Sequence, residues 1–408
     1  MMLDYTAIWN KVENLPWCTL VATGRTGSDA FQSYLDSHPE VFLITGSFYL
    51  HVYWNTSVTT CFEGELNSGD IADEFIGHFI RKLKTRYDDS KERMGSLGDN
   101  MDQSISIPVA TFRKHLVGLL AEKPLTSRYF VQAVYVAYAL AADQDINAKK
   151  LFFDHVHHIS KVPDLIADFP DCKVICMTRD PRAIYISGAE RWRRYEPETH
   201  NSAYQLSILQ RIMDEPRALA IYGEKFRVMR LEDLDDEGVK QKVCEWLDIS
   251  FRPEVTNSTW GGLRWWGDQI SEVAPDKTMS EKEFDKAIRT TKWEMKLPAL
   301  DKYVFNYLLY DRLRQCRYSC EEKSGFLTFV LIVVAIFVPT THERHDLSPK
   351  RLFTLLFGGR FRPLLSAPYH YARRVIYYFR LLNRRLAGNR FDLPLFGGAR
   401  DASRQVTD

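Results

Sequence analysis

The stretch from Trp17 to Val41, WCTLVATGRTGSDAFQSYLDSHPEV, most constrains what this chain can fold into. An apolar strand, predicted from Cys18 to Ala22, leads through a turn with two glycines into a helix predicted over 29–35. Such a turn directs several backbone N–H groups to one point, with the positive end of the helix dipole behind them. The stretch therefore predicts an anion site, although glycines between a strand and a helix often only turn the chain.

The composition of the turn narrows the kind of anion. Arg25 lies inside it, and the planar forked donors of a guanidinium suit phosphate or sulfate oxygens. No Lys-Ser or Lys-Thr pair follows the second glycine, as the nucleoside-triphosphate loop requires, and the turn is not G-x-G-x-x-G either. The sequence thus disfavours an ordinary ATPase and a dinucleotide site.

Apolar strands alternate with helical patterns as far as about residue 250. Further strands are predicted at 41–44, 151–154, 173–178 and 226–229. This alternation predicts the α/β class, with a mainly parallel sheet flanked by helices. Because ligands of such sheets bind beyond the carboxyl ends of the strands, we expect the turns that follow the strands to open onto one edge. These turns begin at Gly24, Asp154, Arg179 and Arg230.

Several helices are predicted outside the opening stretch. Residues 69–86 carry Ile71, Phe75, Phe79 and Leu83 at four-residue spacing, which is typical of an amphipathic helix. Packing helices are predicted over about 108–121 and 128–142, and a long helix near 202–222. Residues 87–104 lack periodicity and are predicted to form a surface loop, either a lid or a solvated connector.

The distribution of charge divides the chain at Gly325. From that residue onward the sequence has 13 Lys+Arg against 5 Asp+Glu, a net +8; residues 1–324 have 41 against 48, a net −7. At 408 residues, the chain is long enough for one large or two ordinary domains. We therefore expect a domain over 1–324 and a helical basic tail over 325–408.

The tail combines apolar and basic segments. The run from Gly325 to Val338 has about fourteen mostly apolar residues, fewer than the ~20 that a membrane-spanning helix needs. Residues 369–386 mix aromatic and aliphatic side chains with arginine, which is typical of a helix in a membrane interface. We expect residues 325–408 to associate with a membrane surface; the alternative is a buried helix of the body, with the tail as an oligomerisation arm.

With both the first turn and Arg179 in view, the sequence resembles the sulfotransferases that use 3′-phosphoadenosine 5′-phosphosulfate (PAPS), in particular bacterial members with the opening G-R-[ST]-G-S. In that family the first turn holds the 5′-phosphosulfate, and Gly24–Ser28 matches it, with Arg25 at the basic position. An Arg at the end of a later strand and a Ser eight residues on hold the 3′-phosphate. Arg179 and Ser187 have that spacing.

Two weaker matches extend the resemblance to roughly residues 17–310. MRLEDL at 229–234 is similar to the family's R-x-E-D-L, and residues 260–268 occupy the place of its late cofactor loop. The resemblance implies a P-loop-like sulfotransferase fold, with PAPS as co-substrate. The residues it assigns to PAPS binding are Gly24, Arg25, Thr26, Gly27, Ser28, Asp29, Arg179, Ser187 and Arg264.

Asp29 departs from the family pattern, because many members have Thr or Ser there. A phosphosulfate repels a nearby carboxylate unless that carboxylate caps the helix or pairs with Arg25. We therefore expect Asp29 to point at backbone N–H groups.

Sulfuryl transfer in this family needs charge stabilisation on the leaving phosphate, which the resemblance assigns to Arg25, and a base for the acceptor hydroxyl. His155, which follows a predicted strand, is our choice as the catalytic base; His157 is the second, and Asp154 could orient the imidazole. His51 and Glu232 are further candidates. The H-x-H-H run at 155–158 could suggest a metal, but no other ligands are evident in the sequence, so none is expected.

These observations predict a PAPS-dependent sulfotransferase that acts on a hydroxyl of a lipid or lipid-linked glycan. An odd number of scattered cysteines without a secretory signal favours a cytosolic compartment, and hence the cytoplasmic face of a membrane. No nucleic-acid partner is expected, and a homo-oligomer is left open. The alternatives are a nucleotide-dependent kinase of related topology and a non-catalytic membrane adaptor with a vestigial nucleotide fold.

Overall fold

The structure is a computed structural model of the chain, and the chain divides by its internal contacts into two compact units. Unit 1 comprises Met1–Met177 and Leu219–Thr290, and unit 2 comprises Thr178–Ala218 and Thr291–Asp408. The residues that the structure describes are 3–22, 24–44, 46–61, 67–85, 97–105, 107–195, 211, 214, 218–252, 257–267, 293–359, 361–388 and 393–397.

A five-stranded sheet with the order β2-β3-β1-β4-β5 is the centre of unit 1. Its strands are β1 (Trp17–Ala22), β2 (Val41–Leu43), β3 (Leu151–Val156), β4 (Lys173–Thr178) and β5 (Phe226–Arg230). β1 pairs in parallel with both β3 and β4, and β2 pairs in parallel with β3. The chain winds from β1 first to β2 and β3 on one side and then to β4 and β5 on the other. The predicted α/β class with a mainly parallel sheet is confirmed.

Helices pack around this sheet, and the predicted helices over 69–86, 108–121 and 128–142 are confirmed within a residue at each end. The helices of unit 1 are α1 (Tyr5–Val12), α2 (Ser28–Leu35), α3 (Leu50–Tyr53), α4 (Thr59–Cys61), α5 (Ser68–Thr85), α6 (Val109–Ala121), α7 (Ser127–Ala141), α8 (Val162–Asp168) and α10 (Glu237–Leu247), with a π-helix at Trp54–Val58. A short hairpin, β6 (Thr259–Trp260) and β7 (Leu263–Arg264), follows. Most of the predicted helix 202–222 and of the predicted loop 87–104 lies outside the described residues.

A row of stacked aromatic rings fixes the register of the first three strands. The Trp17 ring lies between Phe152 of β3, at 4.6 Å between centroids, and Phe169, at 4.1 Å. Phe42 of β2 stacks on the other face of Phe152, also at 4.6 Å. Trp17 and Phe42 both pair with Phe152 along the strands. Because the amino ends of the strands are aligned in this way, the carboxyl ends of β1 and β3 also lie side by side.

Unit 2 is helical in its described part. Its helices are α9 (Pro181–Tyr195), α11 (Trp293–Lys296), α12 (Ala299–Leu308), α13 (Tyr310–Gln315), α14 (Phe326–Phe337), α15 (Thr341–Asp346), α16 (Pro349–Phe357) and α17 (Phe361–Leu386). Phe305 of α12, Ile336 of α14 and Tyr378 of α17 share one core. A buried ion pair between Glu343 and Arg374, 2.7 Å apart, joins α15 to α17. The division into a catalytic domain (1–324) and a membrane-associating tail (325–408) stays a prediction.

The predicted apolar run of the tail forms α14, and this helix has two apolar faces. Ile332, Ala335 and Ile336 are buried in the core of unit 2. The opposite face is apolar too, and its side chains are half or more exposed: Phe326, Leu327, Leu331, Val334 and Phe337. In the part of the chain that the structure describes, no helix combines the length and the apolar character needed to cross a bilayer.

Candidate active site

The opening turn has the backbone geometry of an anion cradle. Arg25 and Gly27 both adopt left-handed backbone angles, with φ of 73° and 81°. The first intrahelical bond of α2 runs from the Phe31 N–H to the Gly27 carbonyl, so the N–H groups before Phe31 have no acceptor within the helix. A positive φ is strained for a residue with a side chain, and such strain is concentrated at functional sites. Thr23 lies outside the described residues.

Gly27 is required by its surroundings as well as by its φ angle. A Cβ atom built on Gly27 would lie 2.3 Å from Cδ1 of Leu231, a buried residue directly after β5. Leu231 belongs to the MRLEDL stretch, whose Arg230 and Asp233 form a buried ion pair, with Nε 2.7 Å from Oδ2. Two separate sequence motifs therefore pack on each other here. Sequence reasoning singled out both motifs but did not predict this contact.

Two histidines lie at the carboxyl end of β3, the neighbour of β1. His155 pairs with Leu20 across the two strands and is almost fully buried. Its carbonyl accepts a hydrogen bond from the Ser47 hydroxyl at 2.8 Å. His157, two residues on and half-buried, brings its ring centroid to 4.5 Å from that of His155. Alternate residues of a strand point to the same side, which explains why the two rings meet.

Asp29, the departure from the family pattern, faces these histidines. One carboxylate oxygen of Asp29 and one ring nitrogen each of His155 and His157 all lie within 4.8 Å of one another. The structure thus brings the turn after β1 and the end of β3 into one site, as the sequence predicted for two parallel strands. The close approach of Asp29 to the two histidines was not predicted. That Asp29 points at backbone N–H groups stays a prediction.

The other acid and base candidates are arranged differently. Asp154 does not orient His155, because it lies on the opposite side of β3; its carboxylate accepts a 2.9 Å hydrogen bond from the Tyr135 hydroxyl, and burial raises the pKa of this carboxyl. His51 contacts Asp168, with 3.0 Å between Nε2 and Oδ2. Glu232 lies half-buried in the turn after β5.

Residues 257–267, which include Arg264, pack along α2. The Ser37 hydroxyl lies 2.7 Å from that of Thr259, and the Gly262 N–H donates to the Asp36 carboxylate at 2.8 Å. The Arg264 guanidinium is buried and stacks on the Trp266 ring, 4.8 Å from its centroid. Residues 260–267, which the resemblance places in a late cofactor loop, therefore lie against the same helix that begins at the opening turn.

The second pair of predicted cofactor residues belongs to unit 2. Arg179 follows β4 and is buried, and Ser187 is buried in α9. Between them, Arg182 is a structural residue: its guanidinium contacts the Asp180 carboxylate at 2.6 Å and lies 4.1 Å from the Trp293 ring centroid.

A model of the protein family described as sulfotransferases matches residues 16–253, more than half of the chain. The chain belongs to the sulfotransferase family. The match spans the opening turn, both histidines, Arg179, Ser187 and the MRLEDL stretch, so the resemblance seen in these residues is confirmed at the level of the family. No protein of curated function matches the sequence.

Solved sulfotransferase structures resemble the chain only distantly. The sulfotransferase domain of a Synechococcus olefin synthase is 18% identical to this chain. The match covers 69% of this chain and 88% of that domain, with a TM-score of 0.36. The corresponding values for a sulfotransferase domain from the curacin biosynthetic pathway are 16%, 75%, 99% and 0.40. For a sulfotransferase from Mycobacterium avium they are 14%, 62%, 68% and 0.33. The family assignment rests on the family model and on the residues above.

The packing of Leu231 on the turn predicts unequal costs for two glycine substitutions. Gly262→Ala places a side chain at a positive φ in open space and is expected to cost about 1 kcal/mol. Gly27→Ala adds a clash with Leu231, and overpacking contributes about 1–3 kcal/mol more. Hydrogen–deuterium exchange of the peptides that cover β1 and α2, compared with those that cover β6 and β7, measures the two local losses. An equal loss in both variants would contradict the close packing of Leu231.

Proposed function

We propose that this sulfotransferase moves a sulfuryl group from PAPS to a hydroxyl of a lipid or lipid-linked glycan at a membrane surface and releases 3′-phosphoadenosine 5′-phosphate (PAP). One observation supports this most: an anion cradle at the end of β1 lies beside two histidines at the end of β3, of which His155 is buried. Transfer of a charged group to a hydroxyl needs both an anion site and a base.

Each part of this site has a role in the proposed reaction. The acceptor oxygen forms a bond to sulfur while the bond from sulfur to the bridging phosphate oxygen breaks. The N–H groups at the start of α2, with Arg25, stabilise the charge that develops on the leaving phosphate. His155 takes the proton of the acceptor hydroxyl, because a neutral imidazole is a competent base near neutral pH. Burial of His155 excludes water, which would otherwise compete as the acceptor.

The remaining cofactor contacts are proposed from the family resemblance. Arg179 and Ser187 hold the 3′-phosphate, and the loop that carries Arg264 completes the nucleotide site. Family membership supports these roles, since the residues have the family's order and spacing. The location on the cytoplasmic face of a membrane belongs to the same proposal.

The lipid acceptor is proposed from the exposed face of unit 2. A surface helix normally has charged residues on the side that faces away from its core, whereas the exposed side of α14 is apolar. Phe353, Phe357 and Leu365 on α16 and α17 are exposed as well. A net charge of +8 from Gly325 onward favours attachment to anionic lipid. An enzyme attached in this way meets acceptors whose hydroxyls lie at the membrane surface.

His155→Ala is predicted to remove the base and leave the nucleotide site intact. We expect the rate of sulfate transfer from labelled PAPS to a membrane lipid extract to fall by about 10²–10⁴-fold, the usual contribution of general-base catalysis. PAP should stabilise the variant against heat as much as it stabilises the wild type. Mass spectrometry of the lipid product identifies the acceptor.

His158→Ala is the matched control, because His158 is exposed and lies three residues after His155. This variant should retain transfer. A His155→Ala variant with full activity would contradict the assignment of the base. Stabilisation of the wild type by ATP and not by PAP would overturn the sulfotransferase proposal in favour of the kinase, and PAP binding without transfer to any acceptor would favour the adaptor.

The double variant Leu327→Asp/Leu331→Asp is predicted to detach the protein from membranes. Burial of two leucines is worth at least about 3 kcal/mol, so we expect vesicle affinity to fall by about a hundredfold or more. The measurement is flotation with vesicles of phosphatidylcholine that contain about a third phosphatidylserine, the anionic lipid that basic segments bind.

Ile221→Asp controls for the placement of a carboxylate on an exposed apolar residue, since Ile221 is such a residue in unit 1. This variant should float like the wild type, and both should bind less to vesicles without phosphatidylserine. A wild-type protein that does not float would contradict membrane attachment, as would a double variant that floats unchanged.

A further inference from the structure

We propose that Asp29, His155 and His157 form a binding site for a divalent transition metal such as Zn²⁺ or Co²⁺. Three ligand atoms, one from each residue, lie within 4.8 Å of one another. The sequence showed candidate ligands in the H-x-H-H run at 155–158 but none outside it. The fold supplies the third ligand from a residue more than a hundred positions earlier, through the pairing of β1 with β3.

The set of donor atoms selects the class of metal. Two imidazole nitrogens and one carboxylate oxygen suit zinc, cobalt and iron, whereas calcium and magnesium prefer an all-oxygen site. Ligands about 2.0–2.2 Å from a tetrahedral zinc lie roughly 3.3–3.6 Å apart. The present spacing, at most 4.8 Å, has to shorten to that value when an ion binds. Asp29 and His157 are half-buried, so an ion can reach the site and retain a water molecule or substrate oxygen as a further ligand.

A bound cation also explains the unusual carboxylate. Asp29 follows directly on the turn that is proposed to hold a phosphosulfate, and a lone carboxylate repels such a group. A divalent cation between Asp29 and the histidines reverses the local charge. Binding of a metal therefore turns an unfavourable position for an anion into a favourable one.

The metal has a predictable effect on the base, an effect that rests on the function proposed above. A ring nitrogen that coordinates a metal cannot accept a proton, so the ion and the acceptor hydroxyl compete for His155. We therefore expect Zn²⁺ to inhibit sulfate transfer and a chelator to restore it. Binding of the ion itself does not depend on the proposed reaction.

Titration of the full-length, chelator-treated protein with Co²⁺ alone tests the site without any activity measurement. The wild type should show the visible absorption bands of cobalt in a site of low coordination number, with one ion per chain. Asp29→Asn and His157→Gln should each raise the Kd for Co²⁺ by about 100-fold or more, since loss of even an indirect partner typically costs 10–100-fold. His158→Gln, one residue away, should bind Co²⁺ like the wild type.

The outcomes separate the metal site from the proposed function. Absence of the absorption bands in the wild type overturns the metal site, and so does an equal loss of binding in His157→Gln and His158→Gln. Circular dichroism and a cooperative thermal unfolding transition show that each variant is folded, so that weak Co²⁺ binding in Asp29→Asn counts as loss of a ligand. A protein that binds Co²⁺ but transfers no sulfate refutes the proposed function alone. Transfer that Zn²⁺ leaves unchanged, at concentrations that displace Co²⁺, refutes the competition for His155.

Discussion

The pairing of β1 with β3 is the interaction on which the rest of the site depends. Trp17, Phe152 and Phe42 stack across three strands at the amino end of the sheet, and the backbone ladder then carries the alignment to the carboxyl end. Because Leu20 pairs with His155, the turn after β1 and the histidines at the end of β3 meet at one edge. A shift by one residue would move His155 and His157 to the other face of the sheet. The aromatic stack at the amino end therefore determines which side chains meet at the carboxyl end of the sheet.

A second contact, between Leu231 and the opening turn, explains why position 27 is a glycine. Leu231, at the end of β5, occupies the space that a side chain at position 27 would need. The buried ion pair of Arg230 with Asp233 fixes the segment that carries Leu231. The glycine of the anion cradle and the conspicuous charged motif after β5 are thus two halves of one packing arrangement. The MRLEDL stretch therefore lies next to the cradle for a packing reason, without binding substrate itself.

Much of the fold follows from local sequence. Each strand of the sheet and the helices α5, α6 and α7 are predicted within two residues at each end, because apolar periodicity and turn residues are local signals. Contacts between residues that are far apart in the sequence have no such local signal. The position of Asp29 beside the histidines depends on the register between β1 and β3. Which face of the sheet Asp154 and His155 each point to depends on where β3 begins. The structural role of Arg182 is not local either, because its guanidinium contacts both Asp180 and Asn306, which lies more than a hundred positions later.

A crystal structure of the protein with PAP tests the central claim most directly, namely that the turn Gly24–Ser28 is the phosphosulfate site. The account predicts the 5′-phosphate of PAP against the N–H groups at the start of α2, within hydrogen-bond distance of the Arg25 guanidinium. It also predicts His155 on the side of that phosphate where the sulfate of PAPS would extend. A 5′-phosphate bound elsewhere, with the turn in contact only with the protein's own side chains, would contradict it.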